Sequence, residues 1–194
     1  MNLLNPADWA IEQHNNVNHF YSEYLPYEFH LRMVDRVASQ FEYLLDSEKD
    51  YSTGKLRSEL ETQRIGFVSL REACRKACWA HDVLEDCRIS YNTLLKNIGP
   101  DAADIVYAVT NEKGKNRAER ANDKYYEEIV ATPGAVFVKL CDRIANVQYG
   151  KMTGSGMYDK YKKENSNFVT KLGGDSGNHE LAPMFEYLLN LFKD

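Results

Sequence analysis

Residues that interrupt helices are scarce in this chain. Only five of its 194 residues are proline and 11 are glycine, so little would stop long helices from forming. No stretch shows the polar–apolar alternation of a half-buried strand. No apolar run approaches the roughly 20 residues that cross a bilayer as a helix. The opening MNLLNPADWAIEQHNN has no basic stretch leading into an apolar one, so no secretory signal is expected. A C-x-x-C pair is missing too, which weakens any case for a cysteine-rich zinc site. The four cysteines are Cys74, Cys78, Cys87 and Cys141. Cys74 and Cys78 stand four apart on one helix face, where a disulfide would be strained. All four are expected as reduced, buried residues of a cytoplasmic protein. An excess of positive charge is also absent. With 24 Lys and Arg against 29 Asp and Glu, the net charge is −5, which argues against a nucleic-acid polymer as partner.

What is present is a soluble, globular composition, 43% hydrophobic and 27% charged, of a size for one all-α domain spanning residues 1–194. Helices are predicted at about 6–22, with Asn5 as cap and Pro6 in first position, and at 27–46, 64–86, 91–98, 100–110, 117–131, 134–149 and 157–171, with a last one closing the chain. Gly99, Pro133-Gly134 and GGDSGN at 173–178 punctuate them, and NEKGKN from 111 reads as a loop.

Three segments place polar groups on apolar helix faces. His30 precedes Val34, Val37, Phe41 and Leu44 at helical spacing. Alone, it reads as a core histidine bonded to a carbonyl. Cys74, Ala77, Cys78, His81, Leu84 and Glu85 form a second stripe, with Asp82 and Asp86 beside it. Burying that many charges unpaired costs several kcal/mol. A divalent ion held by imidazole and carboxylate would offset it; a roll of the segment toward solvent would avoid it. The third segment, VFVKLCDRIANV at 136–147, is apolar on two sides, as a central helix would be. Asp142 within it needs a partner, either Lys139, Arg143 or a metal, and Asn146 follows one turn later on the same face.

The order His…His-Asp…Asp resembles the HD superfamily of metal-dependent phosphohydrolases. HDVLED at 81–86 and KLCDRIANV at 139–147 are similar to the HDxxED and KLADRLHN motifs of RelA/SpoT-type alarmone hydrolase domains. PYEFHLRMV around His30 resembles their PYxxHPxxVA, and IGPDAADIVYAVTNEKGKNRAE resembles their FGxxVAxLVxGVTK region. The resemblance covers about residues 24–150. It implies an all-α HD fold with His30, His81, Asp82 and Asp142 as ligands of one divalent metal, usually manganese. It implies that Glu85 and Asp86 position or polarise the attacking water, and that Asn146 contacts a nucleotide. The reaction it implies releases pyrophosphate from the 3′ position of guanosine tetra- or pentaphosphate, (p)ppGpp. No synthetase domain is expected at this length.

The chain also departs from those motifs. EQHNNVNHFYSEYLPY contains no arginine where the family carries one that stacks on guanine, Leu31 replaces a proline, and Gln148 stands where an arginine is usual. His19, Tyr24 and Tyr27 are candidates for the base contacts. The cations expected to balance a polyphosphate are Lys139, Arg143, Arg117, Arg120 and Lys124, since arginine matches phosphate by its fork of donors. Each could equally be a solvated surface charge. The alternatives are an HD phosphohydrolase for another nucleotide or an NADPH-like compound, and a metal-binding regulatory module without turnover. The partner expected is a small phosphorylated nucleotide, with no membrane involved.

Overall fold

The computed structural model describes residues 5–45, 68–111, 115–176 and 179–193. It is built of helices, and among the described residues there is no named strand; an isolated bridge joins Phe20 and Pro26. In chain order the helices are α1 (Pro6–Asn16), α2 (Glu28–Phe41, continued by a 3-10 turn Glu42–Leu44), α3 (Leu70–Ala80), α4 (Val83–Asp86), α5 (Tyr91–Ile98), α6 (Pro100–Val109), α7 (Arg117–Arg120), α8 (Asp123–Ala131), α9 (Ala135–Thr153), α10 (Gly156–Lys171) and α11 (Ala182–Leu191). The all-α expectation holds.

The starts follow local chemistry. Asn5, Ser69, Ser90, Asn122 and Ser155 each accept a backbone N–H of the first turn with their side chains. Pro6 and Pro100 sit where a missing N–H costs nothing.

The axis of the molecule is α9, which packs against α2, α3, α6, α8, α10 and α11. Its buried residues include Phe137, Val138, Leu140, Cys141, Ile144 and Val147, on more than one side, as expected of a central helix. It opens at Gly134, whose φ is +80°; a Cβ there would stand 2.5 Å from the Cys74 sulfur. The backbone turn and the close approach of α3 both require glycine. All four cysteines are free and buried. No helix among the described residues is long and apolar enough to cross a membrane.

Three predicted boundaries were wrong in ways that matter. α1 stops at Asn16 rather than continuing to 22, because Asn18 takes a left-handed φ of +52°; residues 17–27 become a loop. The segment predicted as one helix to 86 breaks after Ala80, where His81 and Asp82 form a turn before α4. The stripe through Leu84 and Glu85 therefore does not continue that of α3, and Val83 is the buried residue of α4. The helix predicted at 117–131 divides at Asn122, which caps α8. Residues 64–67, 112–114 and 177–178, parts of a predicted helix, of NEKGKN and of GGDSGN, lie outside the described residues.

Candidate metal centre and its cavity

His30 lies in the first turn of α2, whose buried residues Leu31, Val34, Val37, Ala38 and Phe41 fix its rotation. His81 and Asp82 occupy the break after α3, and Asp142 the middle of α9. The break has a local cause. The imidazole of His81 turns back to bond the carbonyl of Cys78 through Nδ1 at 2.9 Å, satisfying an acceptor at the helix end. That leaves its Nε2 facing inward.

The three segments bring four side chains to one point. The Nε2 atoms of His30 and His81 are 3.3 Å apart. His81 Nε2 stands 2.9 Å from Asp82 Oδ2 and 3.8 Å from Asp142 Oδ1. From His30 Nε2 the same oxygens are at 3.8 and 3.4 Å. The two imidazole side chains are 1% and 2% exposed, the two carboxylates 22% and 16%. His30, His81 and Asp82 satisfy the spacing of a metal-ligand cluster, and Asp142 closes the fourth side. Ligand atoms about 2.1 Å from a common ion, at tetrahedral or octahedral angles, stand about 3.0–3.4 Å from each other. The donor set fits a divalent ion of the kind that takes mixed nitrogen and oxygen ligands.

Protonation shows the same crowding. Burial disfavours the charged form of His81, but Asp82 and then Asp142 more than reverse this, raising its pKa to about 9. Burial works against the charge on both aspartates as well. Asp82 is nonetheless held low by His81, and Asp142 by Lys139 and the two imidazoles. A metal would take the place of the proton on His81.

Around this point the contacts are dense. Tyr27 donates its hydroxyl to Asp82 Oδ2, and its ring stacks against both His14 and His19, centroids 4.2 and 4.0 Å away. Those two histidines meet through their Nδ1 atoms at 3.0 Å. Burial lowers the pKa of His14 to about 3, so it is neutral at physiological pH. Asn146 donates to Asp142 Oδ1 at 2.5 Å and to the Asp142 carbonyl at 3.1 Å. Lys139 Nζ reaches Asp142 Oδ2 at 3.3 Å.

The two carboxylates of the centre, Asp82 and Asp142, form the floor of a cavity of about 810 Å³, with the imidazoles behind them. Glu85 and Asp86 line one wall. Asn111 donates to both oxygens of Glu85, and Arg120 stands 3.6 Å from it. Burial, with Asp82 and Glu85 as negative neighbours, pushes the Asp86 carboxyl up to about 7; His19 lies 3.7 Å from it. Tyr125, Lys139, Asn146, Lys160 and Tyr161 contribute elsewhere to the lining.

No family model matches the chain. Among curated proteins it is similar to guanosine-3′,5′-bis(diphosphate) 3′-pyrophosphohydrolase MESH1 of Drosophila melanogaster, 30% identical over 115 residues, 57% of this chain and 64% of that protein. MESH1 of Danio rerio is 26% identical over 146 residues, 75% of this chain and 67% of that protein. The match to the fly protein thus spans less than two thirds of its length. The chain is a distant homologue of MESH1. A solved structure described as a metazoan orthologue of SpoT that hydrolyses ppGpp superposes with a TM-score of 0.61, covering 95% of this chain and 92% of that one at 20% identity. That match shows the fold. The resemblance read from the motifs is thus matched by a distant homology to MESH1 and by a shared helical fold.

Not every predicted residue meets at the cavity. Arg143 touches its wall, but its guanidinium is packed 4.5 Å over Tyr161 and 4.2 Å over Phe168, with Glu164 at 3.4 Å. It ties α9 to α10. Lys124 lines a separate shallow groove with Tyr107 and Thr110. The Arg117 side chain lies outside the described residues, and Tyr24 is 82% exposed and away from the cavity lining. Sequence reasoning passed over the hydroxyl bonds of Tyr21 and Tyr27, the role of Asn111, and His14. A signal existed for Tyr27: it precedes His30 by three residues, the spacing that aligns two side chains on one helix face.

Proposed function

We propose that the chain is a metal-dependent phosphohydrolase that cleaves a nucleotide (pyro)phosphate such as (p)ppGpp by attack of an activated water. The observation that carries this reading is the convergence of His30, His81, Asp82 and Asp142 at one point, where the two carboxylates face a cavity whose wall presents Glu85 and Asp86. The homology to MESH1 supports the same chemistry.

A divalent ion in this centre, manganese by analogy, supplies a Lewis acid for a phosphoryl oxygen and lowers the pKa of a bound water. The remaining roles fall to the protein. His81 is fixed as the Nδ1-protonated tautomer by the Cys78 carbonyl, which keeps Nε2 free as a ligand. Asp86, with its pKa near neutrality, accepts the proton of the attacking water, a task that requires such tuning. Glu85 orients that water, and its own position is set by Asn111 and Arg120. Lys139, Arg120 and Lys160 offset the charge of a polyphosphate along the cavity. The whole is read as a single HD-type unit.

A second reading keeps this chemistry and changes the substrate to another nucleotide or an NADPH-like phosphate. It is favoured by the loop at 17–27, which brings His19 rather than an arginine toward Asp86. Turnover of a panel of nucleotides with Mn²⁺ separates the two. Release of pyrophosphate from ppGpp supports the first reading; an inert ppGpp beside a cleaved phosphate ester supports the second. Metal binding without cleavage of any member would leave only a binding module.

A further inference from the structure

The loop between α1 and α2 carries one residue that touches the metal centre twice. The Tyr21 hydroxyl donates to Asn146 Oδ1 at 2.9 Å, and Asn146 in turn donates to Asp142 Oδ1 at 2.5 Å. Both ends of the Asn146 amide are thus engaged within the protein. The Asp142 carboxylate and carbonyl only accept, so the amide nitrogen must face them, which leaves Oδ1 to accept from Tyr21. The Tyr21 ring also lies against the imidazole of His30, with centroids 4.8 Å apart and planes 17° from parallel.

That second contact has weight because of what His30 lacks. A metal-ligating histidine commonly fixes its ring by donating from its other nitrogen. His81 does so, to the Cys78 carbonyl. His30 is 1% exposed and its Nδ1 is buried with no hydrogen-bond partner. The ring orientation of His30 is therefore left to packing, and Tyr21 is the ring that lies flat on it. Tyr21 is itself braced: its backbone N–H donates to the Leu25 carbonyl at 2.8 Å, Phe20 and Pro26 pair across the loop, and the Tyr149 ring stands 4.8 Å away.

We propose that Tyr21 is a positioning residue of the metal centre, aligning Asp142 through Asn146 by its hydroxyl and His30 by its ring. The proposal rests on the reading of His30, His81, Asp82 and Asp142 as ligands. It assigns Tyr21, within that loop, to metal affinity rather than to substrate contact.

The test is calorimetric titration of Mn²⁺ alone into metal-stripped protein. The wild type binds, and His81→Ala does not; if the wild type takes up no Mn²⁺, or His81→Ala binds as tightly, the ligand reading fails and this inference falls with it. Given that control, Tyr21→Phe, which keeps the ring and loses the hydroxyl, is expected to raise the Kd about ten-fold, and Tyr21→Leu about a hundred-fold, the range for groups that support metal ligands. In an Asn146→Ala background, Tyr21→Phe should add nothing, because its hydroxyl acts through that amide. Wild-type Kd values in both Tyr21 variants would overturn the proposal while leaving the ligand set intact. So would a Tyr21→Phe variant that binds Mn²⁺ normally but shows a raised KM for a nucleotide. Should Tyr21→Leu fail to fold by circular dichroism, Tyr21→Phe and the Asn146 cycle decide alone.

Discussion

Behind the floor of the cavity, His30 and His81 are 1% and 2% exposed and hang from α2 and the end of α3, opposite Asp142 on α9. At its mouth, Glu85 and Arg120 are 30% and 43% exposed and face each other across 3.6 Å from the short helices α4 and α7. The inner geometry is set by the packing of helices around α9, and the atoms that meet there have little room to rearrange. The outer geometry is set by long side chains in water, where charge is screened and rotamers are many. A change of substrate can be accommodated at the mouth without disturbing the floor.

The comparison breaks most decisively at His81. His81→Ala removes an inward-facing nitrogen that no neighbour can replace, so Mn²⁺ binding and turnover should vanish together, with rates down on the order of 10³-fold or more. Calorimetry and a phosphate-release assay on one preparation check it. Full metal occupancy in that variant would show that the inner cluster is held together without it.

Glu85→Gln lies between the two ends. It keeps the shape and leaves the four inner side chains untouched, so Mn²⁺ should bind with an unchanged Kd. Turnover should drop about 10²–10⁴-fold if the carboxylate orients the water. An active Glu85→Gln enzyme would make Glu85 an ordinary surface charge held by Asn111, with no part in orienting the water.

How far these regions could be read from the sequence differs for the same physical reason. The inner residues announce themselves because buried charge is rare: a histidine or aspartate within an apolar stripe, as at His30 and Asp142, demands a partner. The stripe of α9, apolar on two sides, likewise identified the central helix. The break at His81–Asp82 was hidden, because helical periodicity continues through HDVLED and the side chain that ends α3, His81 bonding the Cys78 carbonyl, is itself the proposed ligand. The course of residues 17–27 was hidden too. Helix periodicity gives no sign of the left-handed turn at Asn18, and without that turn Tyr21 and His19 could not reach the centre. At the mouth, Lys124 and Arg143 looked alike as cations near a motif, yet one faces another groove and the other is packed between two rings. Only tertiary packing distinguishes them.

Asp86 offers a pH-dependent way to sharpen the contrast. Burial, Asp82 and Glu85 hold its carboxyl protonated up to about 7, while in the unfolded chain it ionises near 3.9. Between these values the folded protein binds one more proton than the unfolded one, so this group makes stability fall as pH rises across that window. In metal-free protein, the carboxyl carbon of Asp86 should titrate near 7 by NMR. Addition of Mn²⁺ should move it lower, because a divalent charge beside Asp82 cancels one of its negative neighbours. Asp86→Asn should abolish that titration and flatten the acidic limb of the rate profile. A limb that survives in Asp86→Asn would place the proton acceptor elsewhere, with Glu85 next in line.

The smallest effect is expected at Arg120. Its contact with Glu85 is 3.6 Å long and 43% exposed on the arginine side, which limits such a pair to about 0.2–1 kcal/mol. Arg120→Ala should therefore raise KM for a nucleotide by no more than about five-fold, with Mn²⁺ affinity unchanged. The effect should fade as salt is raised, since a charge at the mouth acts through solvent. A loss of a hundred-fold, insensitive to salt, would mean that α7 closes over bound substrate and that Arg120 grips a phosphate away from water. The mouth would then be as ordered in the complex as the floor is in the free protein, and substrate selection would rest on that closure.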